Sequence, residues 1–229
     1  MSVARRDGRG GDASDAVSAV VFDLGGVITE SPMVAFAAYE AEVGLPDGLV
    51  RRLNSTDPDT NAWARYERRE LDEAGFRAAF EAEATAAGFS VDAGRVLAAL
   101  HGDLRPAMVA AVQQLRKAGV PLALLSNNVA PMERTGRLGE LLGLFDAVVE
   151  SSVEGVRKPE PAIYALALRR LSAAAGREIA AADCAYLDDL GINLKPAREL
   201  GFTTIKVVDP AAALAELSSL VGFPLDGTA

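Results

Sequence analysis

The sequence predicts an α/β fold: a Rossmann-like parallel sheet with helices on both faces, carrying an inserted α-helical domain. Three observations predict it. Five short apolar runs stand at 18–22, 120–125, 147–150, 184–187 and 203–208, partly β-branched and of the length that strands buried on both faces adopt. Helical patterns separate the later runs, and strand alternating with helix is the rhythm of a parallel sheet. Residues 31–102 break that rhythm, because they hold no strand-like run and read as consecutive amphipathic helices.

The first run, ending Ala19-Val20-Val21-Phe22, stops on Asp23 and is followed by Leu24 and the pair Gly25-Gly26. Residues 1–16 are polar and glycine-rich, and are expected to form a disordered tail. Arg5-Arg6 ahead of an apolar run resembles an export peptide only superficially: a polar segment intervenes, Asp23 cuts the run short, and no small-residue cleavage site follows. Within the insertion, helices are expected at 33–43, 48–54, 61–69, 72–87 and 91–100. Trp63, Tyr66, Phe76 and Phe80 fall at helical spacing there and are read as its core. Next, 105–118 opens with Pro106 in a first-turn position and ends before Gly119, the start and stop of one helix. Segments 161–173, 193–200 and 210–221 read likewise. The division is therefore 17–30 with 103–229 as the sheet domain and 31–102 as the helical domain, seated over the sheet's carboxyl edge where the first strand releases the chain.

Composition narrows the functional classes. With 229 residues, half of them apolar, the chain can bury one sizeable core and a small second one. A net charge of −9 argues against nucleic acid or an anionic membrane surface as partner. No stretch approaches the ~20 apolar residues of a membrane span. Cys184 is the single cysteine and lies inside an apolar run; no disulfide can form within the chain, which suits a cytoplasmic location, and the residue reads as a small buried hydrophobe. The lone His101 excludes a His-rich metal site.

Three strands end on functional groups: the first on Asp23, the second on Ser126-Asn127-Asn128, the fourth on Asp188-Asp189. The third is followed by Val156-Arg157-Lys158-Pro159. Parallel strands present their carboxyl ends on one side, so three acids, a hydroxyl, an amide and a lysine converge on one crevice. Carboxylates crowded there repel unless a cation holds them, which implies a hard divalent ion. Mg²⁺ fits, being held as a rule by one or two carboxylates with backbone, water and phosphate oxygens. Lys158 and Ser126 would then supply charge and a hydrogen bond to a bound anion.

With these four motifs in order, the chain resembles the haloacid dehalogenase-like hydrolase superfamily, in its phosphatase branch with a helical cap inserted after the first motif. The run Asp188-Asp189-Leu190-Gly191-Ile192-Asn193-Leu194-Lys195-Pro196-Ala197 is similar to the subgroup containing the amino-terminal phosphatase domain of soluble epoxide hydrolase and the related domain fused to acyl-CoA dehydrogenases. The resemblance implies a Mg²⁺-dependent phosphatase acting on a small phosphorylated metabolite. Asp23 matches the nucleophile that forms an aspartyl-phosphate. Ser126 matches the phosphate-holding hydroxyl with Asn127 beside it, and Lys158 matches the cation orienting nucleophile and phosphate. Asp189 matches the direct magnesium ligand, Asp188 the adjacent acid acting through water, and the Gly25 carbonyl completes the protein's share of the metal shell.

One position departs from that pattern. Gly25 stands where most such phosphatases carry a second aspartate, the general acid and base, whose loss costs ~10²–10⁴ in rate. Glu30 is either an ordinary hinge residue or a substitute acid. Arg105, Pro106 and His101 read as helix-start structure. Two alternatives stay open beside the phosphatase: a catalytically weak or inert member that binds a phosphorylated ligand or protein, supported by Gly25, and a metal-independent 2-haloacid dehalogenase, opposed by the paired Asp188-Asp189.

Overall fold

The computed structural model describes residues 16–100 and 102–225. The tail expected at 1–16 therefore lies outside the described residues except for Ala16, as do His101 and residues 226–229. Five parallel strands, β1 (Ala19–Phe22), β2 (Leu122–Ser126), β3 (Ala147–Glu150), β4 (Cys184–Asp188) and β5 (Thr203–Lys206), form one sheet in the order β3-β2-β1-β4-β5. The chain builds outward from β1 on one side and then returns to its other side. The switch in direction lies at β1 and β4, whose carboxyl ends frame the ligand crevice of such sheets. Register decides what meets there: Phe22 pairs with Leu187 and with Leu124, so Asp23 and Asp188 are the next residues of adjacent strands.

The central strands are buried on both faces, which is why their sequences are continuously apolar. One face packs Val20, Phe22, Leu122 and Leu124 against α6 (Pro106–Lys117) and α11 (Pro210–Val221). The other packs Val21, Leu125 and Tyr186 against α9 (Pro161–Ala175) and α10 (Gly191–Glu199). Predicted strand and helix ends are met to within two or three residues, and the sequence reading left two α-helices unassigned, the single turn Ser151–Glu154 and a longer one. Residues Gly136–Leu142 form the longer one, α7. Gly139, costing about 1 kcal/mol inside a helix, Gly136 at φ +62°, and a Thr135 cap without a side-chain bond hide it. Burial of Leu141 and Leu142 in the core outweighs that cost. A Cβ on Gly139 would stand 2.3 Å from the Arg134 backbone, so packing requires that glycine.

Helices α1 (Met33–Val43), α2 (Leu49–Ser55), α3 (Ala62–Glu67), α4 (Glu73–Ala86) and α5 (Ala93–Ala98) gather around a separate hydrophobic cluster. Asn61, Asp72 and Asp92 cap three of them through side-chain oxygens. At the centre, Phe76 stacks on Tyr66 at 4.7 Å and on Phe80 at 5.5 Å, with Trp63 edge-on at 4.8 Å. The two chain passages between this block and the sheet pair with each other. Thr29 bridges Leu104, Glu30 N donates to Asp103 O at 2.9 Å, and Arg105 N donates to Ile28 O at 2.8 Å. A Cβ on Gly102 would meet Glu30 O at 2.5 Å, so the glycine lets these two segments touch.

Candidate active site

At the end of β1 the chain turns at once. Asp23 caps the turn, its Oδ1 accepting from Leu24 N at 2.7 Å. Gly25 is extended, and Gly26 takes φ +75°, a conformation that favours glycine. Gly26 answers a second demand, because a Cβ there would stand 2.2 Å from Asp189 Oδ2. The turn and the end of β4 are in direct contact.

Lys158 lies in the crevice and is 1 % exposed. Its Nζ sits 2.9 Å from Asp23 Oδ1 and donates to Asp188 Oδ2 at 2.8 Å. Burial alone would lower the ammonium's pKa, but Asp188 and Asp23 outweigh it and raise the lysine above its usual range, so it is a fixed cation. Both contacts to Asp23 fall on Oδ1; Oδ2 has no donor among the described residues.

Asp188 is fully buried and its carboxylate is saturated. Besides Lys158 it accepts from the Tyr186 hydroxyl, from Leu190 N at 2.8 Å, and from Asn193 Nδ2 at 3.0 and 3.1 Å. Asp189, half-buried, faces Gly26 instead. One oxygen from each of Asp23, Asp188 and Asp189 lies within 4.8 Å of the others. Burial, with Asp188 and Asp189 opposing Lys158, pushes Asp23 up to about 8. Burial and then Asp188 push Asp189 up to about 6. Three carboxylates facing one ammonium leave negative charge uncompensated, and the all-oxygen donor set fits a hard divalent cation such as Mg²⁺. With Asp188 committed to its four donors, Asp23 and Asp189 are the carboxylates left to hold such an ion directly.

Ser126 ends β2 on the same edge and is buried; among the described residues its hydroxyl makes only a 3.4 Å contact with Asn127 O. Asn127, expected with Ser126 among the phosphate-binding residues, has its side-chain amide engaged by the protein itself. Its Oδ1 accepts from Lys158 N at 2.8 Å, while Nδ2 donates to Lys158 O at 3.0 Å and to Glu67 Oε2 at 3.1 Å. The amide is consumed in holding the lysine's main chain, so any bond from Asn127 to an anion comes from its own main chain. Glu30 is exposed in the paired linker. Arg105 does precede helix α6, yet it also acts electrostatically on Asp189 and keeps a buried guanidinium nitrogen without an acceptor among the described residues. Tyr186, Asn193, Glu67 and Arg105 are the polar groups that the sequence reading did not bring to the site.

Comparison with known proteins accords with this geometry. Residues 17–201 match the model of the haloacid dehalogenase-like hydrolases. The chain is 35 % identical over 212 residues to mouse acyl-CoA dehydrogenase family member 10, covering 90 % of this chain and 19 % of that protein. It is 30 % identical over 233 residues to pig bifunctional epoxide hydrolase 2, covering 92 % of this chain and 40 % of the relative. It thus spans about a fifth and two fifths of these two proteins. Sesquiterpene phosphatase astK of Aspergillus oryzae is 27 % identical over 212 residues, 89 % of this chain and 96 % of its own length. In fold, the chain is similar to a HAD family enzyme from Bacteroides thetaiotaomicron solved with magnesium and inorganic phosphate, with a TM-score of 0.53, 22 % identity, and coverage of 83 % of this chain and 94 % of that one. On the span of the family match and the fold that carries it, the chain belongs to the haloacid dehalogenase-like hydrolases.

Proposed function

We propose that the protein is a Mg²⁺-dependent phosphomonoesterase that cleaves a small phosphorylated metabolite through an aspartyl-phosphate on Asp23, in a cytoplasmic setting suited to its lone buried thiol. The observation that carries this reading is Lys158 bound to Asp23 Oδ1, which leaves Oδ2 without a donor among the described residues. The lysine holds the nucleophile's orientation and neutralises part of the charge that an incoming phosphate would otherwise repel. Asp23 Oδ2 forms a bond to phosphorus as the ester oxygen's bond to phosphorus breaks, and the leaving oxygen takes up a proton. Water then attacks the phosphorus of the acyl phosphate, releasing inorganic phosphate and regenerating the Asp23 carboxylate. Ser126 is a donor for the transferring group. Asp23, Asp189 and the Gly25 carbonyl would hold Mg²⁺, with Asp188 behind them; when bound, the ion would shield the carboxylates and stabilise charge on the phosphoryl oxygens.

Two relatives support the reading by what they are: a phosphatase similar over nearly its whole length, and a neighbour in fold solved with magnesium and phosphate. The test is phosphate release from an aryl phosphate with and without Mg²⁺, in the wild type and in Asp23→Asn. Release that needs both Mg²⁺ and Asp23 is expected. Magnesium and phosphate binding without turnover would favour an inert ligand-binding protein, for which Gly25 is the argument. Halide release from a 2-haloacid without metal would favour a dehalogenase.

A further inference from the structure

Glu67, the last residue of α3, reaches both loops that carry the site. Its Oε2 accepts from Arg157 Nε at 2.5 Å and from Asn127 Nδ2 at 3.1 Å. Arg157 precedes Lys158 in the chain, and Asn127 follows Ser126. The same Asn127 amide clasps the Lys158 main chain at its N–H and its carbonyl. The seam continues outward: Arg157 also donates to Pro58 O at 2.9 Å, and Arg68 pairs with Glu160 at 3.3 Å. Residues 58–68 of the helical block are thereby fastened to 157–160. A salt bridge that merely joined two bodies would need one partner on each side, whereas Glu67 engages two segments that converge on one lysine.

We infer that Glu67 is a positioning residue, fixing the main chain of Lys158 through Asn127 and Arg157 so that the lysine's place between Asp23 and Asp188 depends on the docked helical block. The energetics run in that direction. The Glu67 side chain is 13 % exposed and that of Arg157 11 %, and a charge buried to this degree is stable only while its partner faces it. Burial raises the carboxyl above its usual range and Arg157 opposes the shift. If the block lifts, Arg157 loses its counterion and Asn127 loses one acceptor, so the clasp on Lys158 slackens.

The inference rests on the phosphatase reading only for its kinetic readout, and a spectroscopic one stands apart from it. Lys117, Lys158, Lys195 and Lys206 are the lysines of the chain, so ¹⁵N-lysine labelling gives a sparse amide spectrum in which the Lys158 resonance reports its bond to Asn127. In Glu67→Ala the Lys158 amide is expected to shift while the other three stay in place. Glu67→Gln, which keeps an acceptor for Asn127 but not the charge, should shift it much less. On an aryl phosphate, kcat should fall at least tenfold in Glu67→Ala and less than threefold in Glu67→Gln, with KM changing less than threefold in both. A Lys158 resonance unmoved in Glu67→Ala overturns the inference, as does an equal shift in both variants, which marks a charge effect alone. A wild type without turnover would count against the phosphatase reading, while the amide spectrum would still decide the role of Glu67. If Glu67→Ala does not fold, Arg157→Met replaces it, with the same shift expected and the same null result fatal.

Discussion

Gly26 and Asp189 are in contact across the crevice: a Cβ on the glycine would lie 2.2 Å from the aspartate's Oδ2. The first strand's turn and the fourth strand's acid are therefore fitted to each other, and the fit leaves no room for even a methyl group. Gly26→Ala should push the Asp189 carboxylate away and strain a backbone held at φ +75°. The expected result is a loss of about 1–3 kcal/mol in stability and of roughly tenfold or more in magnesium affinity. Gly25→Ala is the control, because a Cβ there meets nothing within 4 Å and its φ of −69° is ordinary. Equal magnesium affinities in the two variants would refute the proposed role of this contact.

Lys158 compensates two buried carboxylates at once, so its removal should be felt in folding as well as in turnover. Lys158→Met is expected to cost about 3–5 kcal/mol in stability, the range for leaving a buried charge without its partner. Adding Asp188→Asn should recover much of that stability, since one of the stranded charges is then gone, without recovering activity. Denaturant titration of both variants reads the difference, and a double variant no more stable than the single would show that Asp188 is not the stranded charge.

Magnesium binding should depend on pH in a direction set by the carboxylates. Burial raises Asp23 to about 8 and Asp189 to about 6 in the metal-free protein, and a cation binds their deprotonated forms. Affinity therefore rises with pH, at about tenfold per unit between 6 and 8 where one proton is displaced, more steeply below 6, and levels off above 8. In Asp23→Asn the slope between pH 6 and 8 should vanish. Calorimetric titrations across that range check both statements, and a flat wild-type profile would contradict them.

Cys184, at the start of β4, is fully buried, and burial pushes its thiol up to about 12. At pH 8 only about one such thiol in ten thousand is thiolate, and access is closed as well. Alkylation by iodoacetamide should be negligible in the native protein and should track global unfolding in denaturant. Rapid labelling well below the unfolding midpoint would show that β4 opens locally.

The sheet was legible because parallel strands covered on both faces must be apolar throughout, and the acids that end them break the pattern visibly. Helix α7 was not, since Gly139, which packing against Arg134 requires, and Gly136, held at φ +62°, together disguise it as a loop. The strand-end residues Asp23, Ser126 and Asp188 could be read for the same reason as the sheet. The groups that orient them could not. Tyr186 sits inside an apolar run and passes for core; Asn193 passes for an ordinary helix-start residue; Glu67 lies 90 residues from Arg157 in the chain. Such roles depend on register and docking, which spacing along the sequence does not encode.

The absence of an acid at position 25 has a chemical consequence that can be measured. Without a group to protonate the departing oxygen, expulsion of an alkoxide is penalised, while a phenolate or another stabilised leaving group is affected much less. The native substrate is then expected to carry a good leaving group, an anomeric sugar phosphate being one class, unless Glu30 or a residue of the helical block supplies the proton. Structure makes the test practicable: the Gly25 backbone is extended at φ −69°, ψ 127°, and a Cβ there meets nothing within 4 Å. Gly25→Asp should therefore fold and place a carboxyl two residues from Asp23. Assayed on phosphate esters of rising leaving-group pKa, the variant should gain most on the poorest leaving groups, by ~10²-fold or more if the new acid is well placed. A wild-type rate already high and independent of leaving-group pKa, with chemistry shown to be rate-limiting, would mean that another residue donates the proton. The inference about substrate class would then fall, while the nucleophile assignment at Asp23 would stand.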